Sequence, residues 1–156
     1  MKRKFELGTS LIEVLVTIVI MAIGLLGLAN VQLHNLRNVN NAQFRTVAAI
    51  LAYDMEDRMR SNKAAVDAGH YDDVDGDETD LSCSPCNSTQ MAQQDAYEWN
   101  DLIKASIAEG GLPPGSKGEV DVDGSFYNIK ITWKEQTQSS GGSSPEDKSF
   151  TLTAQF

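Results

Sequence analysis

The sequence predicts an α+β fold in which a long N-terminal transmembrane helix packs on a small antiparallel β-sheet. Three observations lead there. The run Leu11 to Val31, LIEVLVTIVIMAIGLLGLANV, carries no charge except Glu13. From Leu33 to Asn62 there is no Gly or Pro, and apolar residues recur close to a 3.6-residue period. From Glu119 onward, apolar and polar residues alternate with period two.

The apolar run would make a helix of roughly 32 Å, about the hydrocarbon thickness of a bilayer. A carboxylate there costs about 2.5–3.5 kcal/mol near the membrane centre and less toward an end. An anchor alone needs only Leu or Val, so Glu13 reads as functional and requires a partner. Lys2, Arg3 and Lys4 precede the run and hold this end on the cytoplasmic side. If residues 1–8 are a leader cut after Gly8, residues 9–31 form the membrane half of the helix and Thr9 becomes the amino terminus. A neighbouring subunit's terminal ammonium would then pair with Glu13. An ion pair in apolar surroundings is a device for register more than for stability.

The stretch Gly8-Thr9-Ser10-Leu11-Ile12-Glu13-Val14-Leu15-Val16 resembles the class III leader junction of type IV pilins and of type II secretion pseudopilins. The resemblance implies cleavage between Gly8 and Thr9 by a prepilin peptidase, N-methylation of Thr9, and a role for Glu13 in docking into a filament. That family usually has Phe or Met first after the cut, and Thr9 departs from this. Ala22 to Leu33 with Gly24 and Gly27, Asp57 to Asn62, and Met91 to Trp99 are similar to the PilV group of minor pilins, the type IV pilus modification proteins. This narrower resemblance implies a type IV pilin-like fold and a structural subunit. It implies a single-pass inner-membrane prepilin with its head in the periplasm, later part of the pilus at the cell surface. Its partners would be other minor pilins, the major pilin and a pilus tip adhesin, in a short complex that primes assembly at or near the tip. A minor pseudopilin of type II secretion is the alternative within the family. Two plainer readings compete: a secretory signal cut before Asn30, and a single-span anchor with no filament role. The mature amino terminus separates them as Thr9, Asn30 or Met1.

At 156 residues the chain suits one domain, residues 32–156, plus the anchor. Its formal charge is −9. Loss of the leader, with Lys2, Arg3 and Lys4 against Glu6, would take this to about −11. Such a surface does not suit nucleic acid, which rewards basic patches.

Leu33, Leu36, Phe44, Val47, Leu51, Met55 and Met59 form a stripe, broken at Asn40, that predicts one helix from Ser10 to Ser61. Such a helix would be roughly 80 Å long. Gly24 and Gly27 suit close helix packing, and without Pro no fixed kink is expected. Periodicity fails over residues 63–86, which reads as a solvated loop. The loop holds Asp72, Asp73, Asp75, Asp77, Glu78 and Asp80. Asp73, Asp75 and Asp77 are candidate calcium ligands, since hard cations take several oxygens. An EF-type loop needs Gly directly after the third acid, and Glu78 stands there. A membrane-tethered calcium-binding module is thus the reading from another class.

Cys83 and Cys86 are close enough in sequence to form a disulfide in an oxidising compartment. A redox role lacks a surrounding βαβ pattern. Zinc lacks ligands, because His34 and His70 have no finger spacing. A second helix is expected over residues 88–109, capped by Asn87 or Ser88, with Ala92, Ala96, Trp99, Ile103 and Ile107 on a buried face. Strands follow at Glu119 to Asp123, Phe126 to Glu135 and Ser149 to Phe156, within a sheet region 117–156. Asp123-Gly124 reads as a hairpin turn and Gln136 to Pro145 as a flexible loop. Tyr127, Ile129, Ile131 and Trp133 face one way, and Phe150, Leu152, Ala154 and Phe156 point inward. No catalytic constellation or cofactor motif emerges, and the expected role is structural.

Overall fold

The structure, a computed structural model, describes residues 10–139 and 142–156. It is α+β, with one long N-terminal helix and a small three-stranded antiparallel sheet. Two compact units meet within that helix: the first ends at Val39, and the second spans Asn40–Phe156.

Helix α1 runs unbroken over Leu11–Ser61. The Ser10 carbonyl starts it, accepting from the Glu13 and Val14 amides at 2.9 and 3.3 Å. In the second unit α1 buries Ala48, Leu51, Ala52, Met55 and Met59, with Phe44 and Val47 partly covered. The expected stripe therefore starts at Phe44. Leu33 and Leu36, in the first unit, are exposed.

Residues 75–86 form the mostly exposed loop expected, but residues 63–74 do not. Lys63–Asp67 is a helical turn, α2, and Ala65, Val66, Tyr71 and Val74 are buried. These apolar residues are too irregularly spaced to make a period, so only the packed fold reveals them. Asn62, at the end of α1, donates to the Ser88 carbonyl at 2.8 Å and to the Tyr71 hydroxyl at 3.3 Å. Tyr71 in turn donates to Asp95 at 2.6 Å. Burial is the main cause that raises the Tyr71 phenol above its usual range, and the Asp95 bond adds to it. Arg58 completes this network, with ion pairs to Asp54, Asp95 and Glu98.

Helix α3 spans Ser88–Lys104. Asn87 and Gln90 make a reciprocal capping box, side chain to amide, at 2.9 and 3.1 Å. Ala92, Ala96, Trp99 and Ile103 are buried as the spacing predicts. Ile107 is not. The α-helix stops at Lys104 and a 3₁₀ turn, Ile107–Glu109, follows. The chain then folds back so that the Leu112 amide donates to the Ile103 carbonyl at 3.0 Å, and Leu112 is buried instead.

The sheet has order β1-β2-β3, with β1 at Lys117–Asp123, β2 at Phe126–Ser139 and β3 at Gly142–Ala154. The Asp123-Gly124 turn joins β1 to β2, with Gly124 at φ 63° as that turn requires. The expected loop from Gln136 to Pro145 is instead paired strand, from Gln136↔Pro145 to Ser139↔Gly142. Ser and Gly carry no apolar alternation, so extension of the ladder past Glu135 left no mark in the pattern. At its other end β3 stops at Ala154, short of Phe156.

Ile129, Ile131 and Trp133 lie in one core with the α1 stripe and α3. Trp99 joins all three layers: its indole nitrogen donates to the Leu51 carbonyl at 2.7 Å, and its ring lies against Gly118 of β1. A Cβ at Gly118 would sit 2.3 Å from the Trp99 ring. Gly118→Ala should therefore destabilise the chain by about 1–3 kcal/mol, as overpacking does. The expected result in urea is a lower midpoint with an unchanged slope.

Glu135 is only 2% exposed and lies on the inner face. Arg45 of α1 grips it with two nitrogens, at 3.0 and 3.1 Å, and the Trp133 indole donates to it at 3.1 Å. The Arg45 hydrogen bond holds the Glu135 carboxyl below its usual range, against the opposing effect of burial. A depressed folded pKa contributes stability that is present above the unfolded carboxylate pKa and lost as pH falls through the folded value. Melting temperatures measured from neutral pH down to acid should show this loss. In Arg45→Ala the loss from this group should shrink, since its largest cause is gone and burial is then opposed only by the Trp133 bond and the Lys148 charge.

Candidate functional site

The first candidate is the apolar stem. Leu11 to Val31 is helical, and its side chains are exposed all round; Leu11, Ile18, Ile23 and Leu26 are each more than 60% accessible. No residue of the most apolar window is buried, and its length and composition suit a membrane span. Glu13 lies in the first turn, where the unbonded amides of the helix start favour a negative charge. Among the described residues, no cation pairs with it. Gly8 and Thr9, the expected cleavage junction, lie outside the described residues. Around Gly24 and Gly27, an added Cβ would meet nothing within 4 Å. Nothing among the described residues therefore calls for glycine at those two positions.

The second candidate is the acidic segment after α2. A cleft of about 730 Å³ is bordered by Asp72, Asp73, Asp75, Glu119 and Asp121, with Lys130 on its rim. Local bonds occupy several of the acids. Asp75 accepts from the Asp77 amide at 3.0 Å. Glu78 turns inward, accepting from the Asp75 and Gly76 amides at 2.9 and 3.3 Å and from Asn100 at 3.3 Å. Asp80 accepts from the Ser82 amide and hydroxyl, and these bonds lower its carboxyl below the usual range. Glu119 is bridged by Lys117 and Lys130. The Lys117 hydrogen bond is the main cause that lowers its carboxyl. Asp73, Asp75 and Asp77 do not converge: among the described residues no three His, Cys, Asp or Glu side chains are placed to hold a metal ion.

Cys83 and Cys86 form a disulfide, with Cα atoms 5.2 Å apart, just ahead of the α3 cap. Closing so short a loop removes little chain entropy, about 2 kcal/mol at most. Its place suggests a local brace for the start of α3. Both sulfurs are engaged, so neither serves as a thiolate ligand in this state.

One polar residue in this region left no signal in the sequence. Asn100, on the buried face of α3, accepts from the Gly118 amide at 2.8 Å and donates to the Gly118 carbonyl at 3.3 Å. Its side-chain amide behaves like one residue of an added strand. Only the approach of α3 to β1 gives it that task.

No family model matches the chain, no curated protein matches it, and no solved structure matches it. The stem and the acidic segment thus stand on their own geometry. Calcium titrated by calorimetry into the full-length chain in detergent should give no saturable heat. The melting temperature should move by less than about 1 °C, since a ligand bound at 100 times its Kd would add about 2.7 kcal/mol.

Proposed function

We propose that this chain is a minor pilin of a type IV pilus, most similar to the PilV group, and acts as a structural subunit. It would enter the inner membrane as a prepilin with its head in the periplasm. It would lose residues 1–8 to the prepilin peptidase and be N-methylated at Thr9. It would then join other minor pilins, the major pilin and a tip adhesin in a short complex that primes polymerisation at or near the pilus tip.

One observation carries this reading. The Leu11 to Val31 part of the helix, apolar on every side, bears a single acid, Glu13, in its first turn, soon after a Gly8-Thr9 junction of the class III type. In hydrocarbon the carboxylate needs a cation. A mature neighbour would bring its terminal ammonium to the same end of a parallel stem. The pair then sets the stagger between stems, a task no Leu or Val could perform. The acidic head, with a formal charge of −9 for the whole chain, is consistent with a protein partner and not with nucleic acid.

Glu13→Val should leave membrane insertion and cleavage after Gly8 nearly unchanged while reducing pilus number at least tenfold. The mature amino terminus should read Thr9. Normal piliation in the Glu13→Val strain would refute the pairing mechanism, and an amino terminus at Asn30 would refute the whole reading. Deletion should abolish pili and twitching; loss of exoprotein secretion in its place would assign the chain to type II secretion.

A further inference from the structure

Polar side chains are scarce in the stem. From Leu11 to Ala29 only Glu13 and Thr17 carry one, and both are exposed. They stand four positions apart on an unbroken helix, so they share one face, with Cβ atoms about 5–6 Å apart. Helical side chains lean toward the N-terminus, which carries the Thr17 hydroxyl back over the turn that begins at Glu13. There it donates to the Val14 carbonyl at 2.8 Å. That bond uses the one proton of the group and leaves its oxygen lone pairs to accept. Among the described residues nothing donates to the Thr17 hydroxyl oxygen, and no cation pairs with Glu13.

A plain anchor gains nothing from this hydroxyl. Val has nearly the same shape, and a Thr bonded back to its own helix slightly destabilises it. An ammonium on the same face changes the balance. After N-methylation a terminal ammonium keeps two N–H groups, and these diverge tetrahedrally. One carboxylate takes one of them in good geometry. In hydrocarbon the other is left without an acceptor, and an unpaired donor on a charged group is especially costly.

We infer that Thr17 is the second acceptor for the terminal ammonium of a neighbouring subunit: Glu13 takes one N–H and the Thr17 hydroxyl oxygen takes the other. This rests on the function proposed above, which supplies the cleaved and methylated neighbour. Two acceptors on one face match the two donors of the methylated amine. Thr17 also acts as a positioning residue. Glu13 alone attracts a cation from either side along the axis. A hydroxyl four residues on holds the ammonium on the side of the next turn, between the levels of Glu13 and Thr17. A parallel neighbour that begins at its own counterpart of Thr9 is then displaced along the stem by four to eight residues, roughly 6–12 Å. The carboxylate supplies the attraction, and the hydroxyl selects where along the stem it acts.

Thr17→Val tests this in the full-length chain expressed in its native cells. The substitution removes the hydroxyl and keeps the shape and apolar character of the stem. Membrane level and the Thr9 terminus should therefore match those of the unaltered chain. The variants are isolated from cross-linked membranes, and co-isolated chains that begin at a class III cleavage point are quantified by mass spectrometry. Thr17→Val should lower their recovery about tenfold, as loss of one hydrogen bond to a charged group does, and Thr17→Ser, which keeps the hydroxyl, should restore it to within about twofold. In the Glu13→Val background, Thr17→Val should cause no further loss, because the ammonium is no longer held there. Independently, p-benzoylphenylalanine at Val14, beside the pair, should cross-link to the first turn of another chain's mature stem. Unchanged recovery in Thr17→Val, no restoration by Thr17→Ser, or an added loss in the Glu13→Val background would each overturn the inference. So would cross-links that are absent or confined to other segments. Failure here with a Thr9 terminus and a defective Glu13→Val strain would leave the minor-pilin reading intact. A terminus other than Thr9 would remove that reading itself.

Discussion

The structure depends on one helix that carries two different surfaces. Over Leu11 to Val31 it is apolar on all sides, and from Phe44 to Met59 it is apolar on one. Leaving a large aliphatic side chain in water forgoes roughly 1.5–3 kcal/mol. With fourteen large apolar side chains exposed from Leu11 to Val31, the stem forgoes on the order of 20 kcal/mol or more. A whole domain is stable by only about 5–15 kcal/mol. By length and composition the first half is a candidate membrane span. Within that oily surface Glu13 is the exception that demands a cation, and the proposed function follows from the demand.

In the second unit, polar side chains do the joining where layers meet. Trp99 fills the space between α1, α3 and β1 and spends its one donor on the Leu51 carbonyl. Asn100 stitches α3 to the outer edge of β1. Arg45 reaches from α1 to the buried Glu135 of β2. Arg58 and Tyr71 converge on Asp95. A buried polar group without a partner costs about 1–3 kcal/mol. Each of these joints thus discriminates strongly against alternative placements of the layers, more than it adds to net stability. The same Asn100 bonds that anchor α3 also satisfy Gly118 on the outer edge of β1.

Much of this architecture is legible along the chain because it depends on period and punctuation. The bounds of α1, the capping of α3 by Asn87, the buried face through Trp99 and the Asp123-Gly124 turn are local matters of side-chain spacing and backbone preference. The disulfide is legible for the same reason, since two cysteines three positions apart in sequence have few other choices. The stem is legible because length and composition alone mark a candidate membrane span.

Where sequence and structure part, the deciding contact is distant. Tyr71 and Val74 are buried in a segment rich in acids, because α3 and β1 arrive from later in the chain to cover them. Ile107 loses its place to Leu112, because the chain doubles back onto Ile103. The polar ribbon beyond Glu135 is strand, because each residue pairs with one across a hairpin and no apolar face is needed to hold it. Glu78 looks like a candidate ligand in a row of acids, yet it points inward to Asn100. By itself, then, the sequence determined which segments are helix or strand and that an acid sits inside an oily stem. Those properties are written in neighbours and near-neighbours. Only the tertiary structure decided which acids turn inward, what meets the outer edge of β1 and which apolar residues are covered. Such properties depend on side chains from separate elements meeting within a few ångströms, and no local pattern encodes that meeting.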